Sequence, residues 1–92
     1  MAGDGRSDIR KNAQRGNAAE RKVRKILVSG CESVRRTGVG SDFVARGCRK
    51  PLEDGLYEVK VNDTPLTPLQ RDMQRRLGPL YHVVRVRSDD VE

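Results

Sequence analysis

The chain has few aromatic residues: no tryptophan, one phenylalanine and two tyrosines in 92 residues. This length suits one small domain, whose core must be built mainly from Val, Leu, Ile and Ala. A thin core is often supplemented by self-association, so we expect a homodimer. No apolar run approaches the roughly 20 residues that cross a bilayer, and no signal-peptide core is present. The sequence therefore predicts a cytoplasmic protein with no membrane partner.

Metal-ligating sulfur and imidazole groups are also scarce, because the chain has two cysteines and a single histidine. A structural zinc site normally takes four well-spaced ligands of these types, so we exclude one. Cys31 and Cys48 stand alone, without a Cys-x-x-Cys pair. Isolated cysteines are typical of a reducing compartment, and we expect both to be free thiols.

Basic residues outnumber acidic ones, nineteen Lys and Arg against thirteen Asp and Glu, which gives a net charge of +6. Such a surface attracts polyanions, of which nucleic acid is the commonest. Fourteen of the nineteen are arginines, whose planar fork suits phosphate groups. The alternative is a generically basic small protein without a nucleic-acid partner.

The first helix is predicted over residues 17–29 by apolar residues at positions i, i+4, i+7 and i+8, namely Ala19, Val23, Ile26 and Leu27. Asn17 suits the N-cap and Gly30 the residue after the helix. Glu20 lies three residues after this cap. It can bond back to the cap as a capping-box partner, or its carboxylate can serve a site elsewhere, and both readings stay open.

Two alternating runs, residues 41–45 and 56–61, predict strands that fold back as a hairpin. A loop centred near Pro51 would put Asp42 across from Lys60 and Val44 across from Glu58. Asp42, Glu58 and Lys60 then share one face, with the two carboxylates close enough to bind one ion. Two hard oxygen ligands beside an ammonium group suit Mg²⁺ and an activated water. The alternative is an ordinary solvated sheet face.

The remaining pattern predicts a strand over 31–36, a helix that starts after Thr67 and runs to residue 77, and a strand over 81–87. The helix has Thr at the N-cap, Pro at N1 and Gln70 at N3, with Leu69, Met73 and Leu77 as its apolar stripe. Tyr81 and Val83 are expected in the core. The order α-β-β-β-α-β describes an α/β domain with a mixed sheet flanked by helices. We place the domain at residues 16–88, between a flexible basic arm (1–15) and an acidic tail (89–92).

Four short motifs occur in order on these elements: Gly16-Asn17-Ala18-Ala19-Glu20-Arg21, Ser41-Asp42, Glu58-Val59-Lys60 and Leu66 to Gln70. Together they resemble the PD-(D/E)XK nuclease superfamily over residues 16 to 86. The pattern is most similar to archaeal-type Holliday junction resolvases and next to virus-type replication-repair nucleases. The position before Asp42, a proline in that superfamily, is Ser41 here. The chain is also shorter than typical resolvases and lacks their loop serine, although Thr37 offers a hydroxyl nearby.

The resemblance implies a restriction-endonuclease-like fold and a metal-dependent DNA endonuclease. Asp42, Glu58 and the backbone carbonyl of Val59 would hold Mg²⁺, which Mn²⁺ could replace, and Lys60 would position the attacking water. Glu20 would add an outer or second-metal contact, and Gln70 would orient Lys60 or a phosphate. Clustered basic residues and one hydroxyl would hold the DNA backbone: Arg21, Arg24, Arg35, Arg36, Thr37, Arg46, Arg49, Lys50 and Arg71.

The substrate implied is branched DNA, cut by a homodimer in recombination or repair. A nuclease acting on flaps, nicks or ordinary duplex is the first alternative. A non-catalytic DNA-binding module with the same fold is the second, and a basic protein-interaction domain the third. For Gln70, as for Glu20, a purely structural capping role stays open.

Overall fold

Two helices and four strands make up the computed structural model, which describes residues 17–38, 40–87 and 89. The elements are α1 (residues 17–30), β1 (Cys31–Arg36), β2 (Phe43–Cys48), β3 (Gly55–Val61), α2 (Pro68–Leu77), a 3₁₀ turn (Gly78–Leu80) and β4 (Tyr81–Val86). The predicted arm and nearly all of the predicted tail lie outside the described residues. The α/β class with a mixed sheet is confirmed.

The four strands form one sheet in the order β1-β2-β3-β4. The pairs β1–β2 and β2–β3 are antiparallel, whereas β3 and β4 are parallel. A parallel pair needs a crossover connection, and α2 provides it. The strand β3 therefore lies between an antiparallel and a parallel neighbour.

The predicted hairpin forms, but its register differs by two residues from the prediction. The aligned pairs of β2 and β3 are Phe43–Tyr57, Val44–Leu56 and Ala45–Gly55. Asp42 therefore lies beside Glu58 and not across from Lys60. The loop closes unevenly because the Asp54 carboxylate accepts hydrogen bonds from the backbone amides of Gly47 and Cys48, at 3.1 and 2.9 Å. A shift of two residues leaves every side chain on its predicted face, since the side-chain period of a strand is two.

The core lies between α1 and one face of the sheet. Ala19, Val23 and Leu27 of α1 are buried against a sheet face that includes Phe43, Ala45, Tyr57 and Val59. Ile26 was predicted to join this stripe but remains 49% exposed. Leu27 occupies the contact with the sheet, and the narrow four-stranded sheet leaves its neighbour at the margin. The helix also extends through Gly30 instead of ending at residue 29.

The second helix begins as its sequence predicts. The Thr67 hydroxyl accepts a hydrogen bond from the Gln70 amide, and the Gln70 side chain accepts one from the Thr67 amide, with Pro68 in the first turn. Its apolar stripe is less buried than predicted, because α2 contains no buried residue and Leu69 is 47% exposed. The helix thus rests on the sheet through half-buried side chains such as Met73.

The prediction of two free thiols is wrong, because Cys31 and Cys48 form a disulfide. They are separated by 17 positions in the sequence but are directly paired in the β1–β2 ladder. Sequence spacing gave no sign of the pairing because the ladder register, which brings the two side chains together, was not predicted. The disulfide removes the cysteine-based argument for a reducing compartment. Neither α1 nor α2, the helices in the described ranges, is long and apolar enough to cross a membrane.

Candidate active site

Two carboxylates lie side by side where β2 begins to separate from β3. Phe43 and Tyr57 form the last aligned pair of β2 and β3. Asp42 comes directly before Phe43 in the sequence, and Glu58 comes directly after Tyr57. The Asp42 amide donates to the Tyr57 carbonyl at 2.8 Å, and the Val59 amide donates to Asp42 Oδ2 at 2.6 Å. Backbone groups of β3 therefore fix both the main chain and the carboxylate of Asp42. Glu58 beside it is only 5% exposed.

Two further predicted residues converge on the Glu58 carboxylate. Lys60 Nζ lies 3.7 Å from Glu58 Oε1, and Gln70 Nε2 donates to the same oxygen at 2.6 Å. The Lys60 side chain is 13% exposed, so its ammonium stays within the site rather than extending into water. Gln70 completes the capping box of α2 and contacts Glu58 at the same time. The capping role is therefore confirmed, whereas the role of Gln70 in orienting Lys60 or a phosphate stays a prediction.

The carboxylate of Glu20 reaches the site from α1. It lies 3.3 Å from Arg36 Nη1, and it is close enough to the Asp42 carboxylate for the two like charges to interact. Burial raises the pKa of Glu20, and the charge of Asp42 raises it further, while Arg36 opposes the shift. The partners found for this side chain are therefore Arg36 and Asp42, consistent with a role in the carboxylate cluster.

The electrostatics of the cluster are dominated by desolvation and by repulsion between like charges. Burial is the largest cause that raises the pKa of Glu58 to about 7, and the nearby charge of Asp42 is the second. The ammonium of Lys60 lowers this pKa but does not restore it to 4.5. When Glu20, Asp42 and Glu58 are all ionised, they carry one negative charge more than Lys60 and Arg36 offset, and a bound cation would reduce this excess.

One buried side chain near the cluster was not identified as a site residue from the sequence. Tyr81 is 5% exposed, and its hydroxyl donates to the Gly40 carbonyl at 2.7 Å, two residues before Asp42. Burial raises the pKa of Tyr81 to about 12, with further contributions from the charges of Glu58 and Asp42. The sequence predicted this tyrosine to be core. One signal for a place near the site was available, because Tyr81 begins a strand that runs parallel to β3. No local sequence motif marks it.

The loop before Asp42 is braced from within. The Thr37 hydroxyl donates to the Ser41 carbonyl and lies 2.9 Å from the Ser41 hydroxyl, and the Thr37 amide donates to the Asp42 carbonyl at 3.0 Å. Gly40 has a φ of +76°, and a side chain there would collide with Met73 of α2. Thr37 thus holds Asp42 in place, and its predicted contact with DNA stays a prediction.

The predicted DNA-contacting basic residues occupy several surfaces. Arg21 and Arg24 are on α1, Arg35 on β1, Arg46 on β2, Arg49 and Lys50 in the following loop, and Arg71 on α2; all of them are exposed. Arg36 differs, because its guanidinium pairs with Glu20 and lies 5.5 Å from the centre of the Phe43 ring. Arg49 donates to the Ser29 carbonyl at 3.2 Å. Of the set, only Arg36 is built into the carboxylate cluster.

The donor set suits a hard divalent cation. Within the described ranges no three His, Cys, Asp or Glu side chains are arranged to hold a metal ion together. The oxygen donors that the structure brings side by side are the Asp42 and Glu58 carboxylates, and the Val59 carbonyl stays a prediction. Oxygen donors of this kind fit Mg²⁺, which usually takes one or two protein carboxylates and keeps several waters. The excess negative charge described above supports the same conclusion.

The geometry brings together all five residues that the sequence singled out for chemistry: Glu20, Asp42, Glu58, Lys60 and Gln70. Comparisons of the chain with models of known protein families, with curated proteins and with solved structures find no match.

Proposed function

We propose that the chain is a metal-dependent DNA endonuclease of the restriction-endonuclease-like fold. The observation that carries this proposal is the pair of adjacent carboxylates, Asp42 and Glu58, with the Lys60 ammonium 3.7 Å from one of them. A protein that only binds DNA gains nothing from excess negative charge at this position, because it repels phosphate. Hydrolysis of a phosphodiester by a bound divalent cation needs such carboxylates.

Each residue has a chemical task in this reading. Asp42 and Glu58 would hold Mg²⁺ together with the Val59 carbonyl, and the ion would supply positive charge against the charge that develops on the phosphate. Lys60, whose ammonium lies 3.7 Å from Glu58, would orient the attacking water. Gln70 fixes the Glu58 carboxylate, and Glu20, paired with Arg36, would add an outer contact to the metal site.

The substrate we propose is branched DNA, cut by a homodimer in recombination or repair. This step rests on the resemblance of the four motifs to archaeal-type resolvases and on the net charge of +6. Two symmetry-related sites would make paired nicks across a four-way junction.

The test incubates the protein with a labelled four-way junction, a flap and a linear duplex of matched sequence, each with Mg²⁺, Mn²⁺ or Ca²⁺. We expect symmetric nicks in the junction with Mg²⁺, and at least a hundredfold loss of rate in Asp42→Asn and Lys60→Ala. Asp72→Asn is the control, because Asp72 pairs with Arg75 and Arg76 on the exposed face of α2. Cleavage of all three substrates would mean a less selective nuclease. Binding without cleavage by any metal would contradict the enzymatic proposal and favour a DNA-binding module.

A further inference from the structure

One face of the β1–β2 pair is left uncovered by both helices. Alternation along the strands directs Phe43 and Ala45 towards α1, so the side chains between them point to the opposite face. The second helix packs on β4, beyond β3. The open area is a shallow cavity of about 240 Å³ lined by Ser33, Arg35, Val44 and Arg46.

The charge of this open face is positive. Arg35 and Arg46 are both exposed, and neither forms an ion pair with any residue in the part of the chain that the structure describes. One acid that interacts with Arg46 is Asp54, whose carboxylate is held by the Gly47 and Cys48 amides. Those amides are the main cause of its lowered pKa, and Arg46 makes a smaller contribution. Two guanidinium groups are therefore available to an external anion.

The open face adjoins the carboxylate cluster. Asp42, Val44 and Arg46 alternate along β2 with the core residues, so they lie on the same side of the sheet, and Glu58 faces that side from β3. A strand rises about 3.3 Å per residue, which puts Arg46 roughly 13 Å from Asp42 along β2. Arg35, beside Val44 in the ladder, is nearer, at roughly 7 Å along the strand direction.

We propose that the open β1–β2 face is a docking surface for the sugar-phosphate backbone of double-stranded DNA, with Arg35 and Arg46 as its phosphate contacts. The inference rests on the proposed nuclease function, because it assigns the duplex arm of the substrate to a surface beside that site. Guanidinium groups bind phosphate oxygens through parallel hydrogen bonds. The axial rise of about 3.4 Å per base pair places the contacted phosphates within about four base pairs of the bond that is cut.

Duplex DNA fits this surface better than a single strand. Single-strand binding grooves combine positive charge with aromatic side chains on which the bases stack. Among the residues that the structure describes, two arginines, a serine and a valine line the cavity, and none of these is aromatic. Backbone contacts without stacking are typical of binding that does not depend on sequence.

The test measures binding of a fluorescent 30-base-pair duplex by anisotropy at several salt concentrations, in EDTA and in Ca²⁺. The variant is Arg35→Gln combined with Arg46→Gln. The control is Lys25→Gln combined with Arg87→Gln, which removes the same charge from exposed positions outside the predicted DNA contacts. We expect the first pair to weaken binding about tenfold near 0.1 M salt and to reduce the slope of log K against log salt by about 2. The control pair should change the slope by less than half as much.

A second measurement locates the contact. Single phosphates along a duplex arm are replaced, one at a time, by neutral methylphosphonates. Replacements within about four base pairs of the cleavage site should weaken binding by the wild type. The same replacements should not weaken binding by the Arg35/Arg46 variant. Equal effects of the two charge-removing pairs, or tighter binding of single strands that depends on Arg35 and Arg46, would overturn the docking proposal. The two proposals fail separately. Arginine-dependent duplex binding without cleavage of the junction, the flap or the duplex by any metal refutes the nuclease alone. Unimpaired duplex binding by a variant that still cuts the junction refutes the docking surface alone.

Discussion

Replacing Glu58 with glutamine should make the protein more stable at alkaline pH while removing its proposed metal site. Glutamine has the shape of glutamate, and its carbonyl can still accept the hydrogen bond from Gln70. The substitution removes a charge that is buried and repelled by Asp42. We therefore expect stability and site chemistry to change in opposite directions, as is common for functional groups held in unfavourable surroundings.

The magnitude follows from the pKa of Glu58, which is about 7 in the folded protein against 4.5 for an ordinary glutamate. At 1.36 kcal/mol for each tenfold change in the protonation equilibrium, ionised Glu58 costs the native state about 3 kcal/mol. Because the folded pKa is raised, this penalty is absent below pH 4.5, grows as the pH rises, and is complete above pH 7. The stability gained by Glu58→Gln has the same pH dependence. It is smaller than the full penalty because Lys60 loses its ion-pair partner in the variant.

The assay is urea unfolding of wild type and Glu58→Gln from pH 4.5 to 8.5, without divalent cations. The variant should be more stable by about 1–3 kcal/mol at pH 8 and should match the wild type within 0.5 kcal/mol at pH 4.5. Glu32→Gln, at an exposed position on β1, is the control and should have little effect at any pH. Mg²⁺ should then stabilise the wild type at pH 8 but not the variant. A variant no more stable than the wild type at pH 8 would refute the account of the carboxylate cluster.

Three further variants test other contacts of the fold. Gln70→Glu keeps an acceptor for the capping box of α2 but replaces the donor to Glu58 by a fourth carboxylate. At neutral pH this variant should impair cleavage and lower stability by about 1–2 kcal/mol, and the loss should shrink in urea titrations at pH 4.5. Tyr81→Phe removes the hydrogen bond to the loop before Asp42 and should cost about 1 kcal/mol in chemical denaturation, with weaker Mn²⁺ binding in calorimetry. The double variant Cys31→Ser and Cys48→Ser should lose about 3 kcal/mol of stability, the value for a loop of this length. Reduction of the wild type should lower its melting temperature to that of the double variant. A wild type whose melting temperature does not respond to reductant would show that the disulfide does not form.

Local sequence signals predicted the elements of the fold well. The cap that begins α2 depends only on Thr67, Pro68 and Gln70, which are neighbours in sequence, so its pattern is readable without tertiary information. The strand β1 was placed at its observed bounds for the same reason, because its glycine-rich flanks are local. Burial on the helices was less predictable: Ile26 and Leu69 have the correct periodicity, but a four-stranded sheet is too narrow to cover every apolar position.

Features that depend on long-range geometry could not be read in the same way. Asp42, Glu58 and Lys60 share a face because of strand alternation, and this survives a register error of two. The same error hides which side chains are direct neighbours, so the Asp42–Glu58 repulsion was not anticipated. The Cys31–Cys48 disulfide and the contact from Tyr81 to the Asp42 loop each join elements distant in sequence, and neither leaves a local motif.

The weak burial of α2 has a consequence for how the cluster forms. Since no residue of this helix is buried, its position on the sheet depends on half-buried side chains and on the hydrogen bond from Gln70 to Glu58. Local opening of such a segment requires less free energy than global unfolding, and its amide protons exchange with solvent correspondingly sooner. If α2 detached from the sheet, Glu58 would lose its hydrogen bond from Gln70. Gly40 would lose its contact with Met73 at the same time. The complete arrangement of side chains therefore exists only while this loosely attached helix is docked, which makes helix docking and site assembly a single equilibrium.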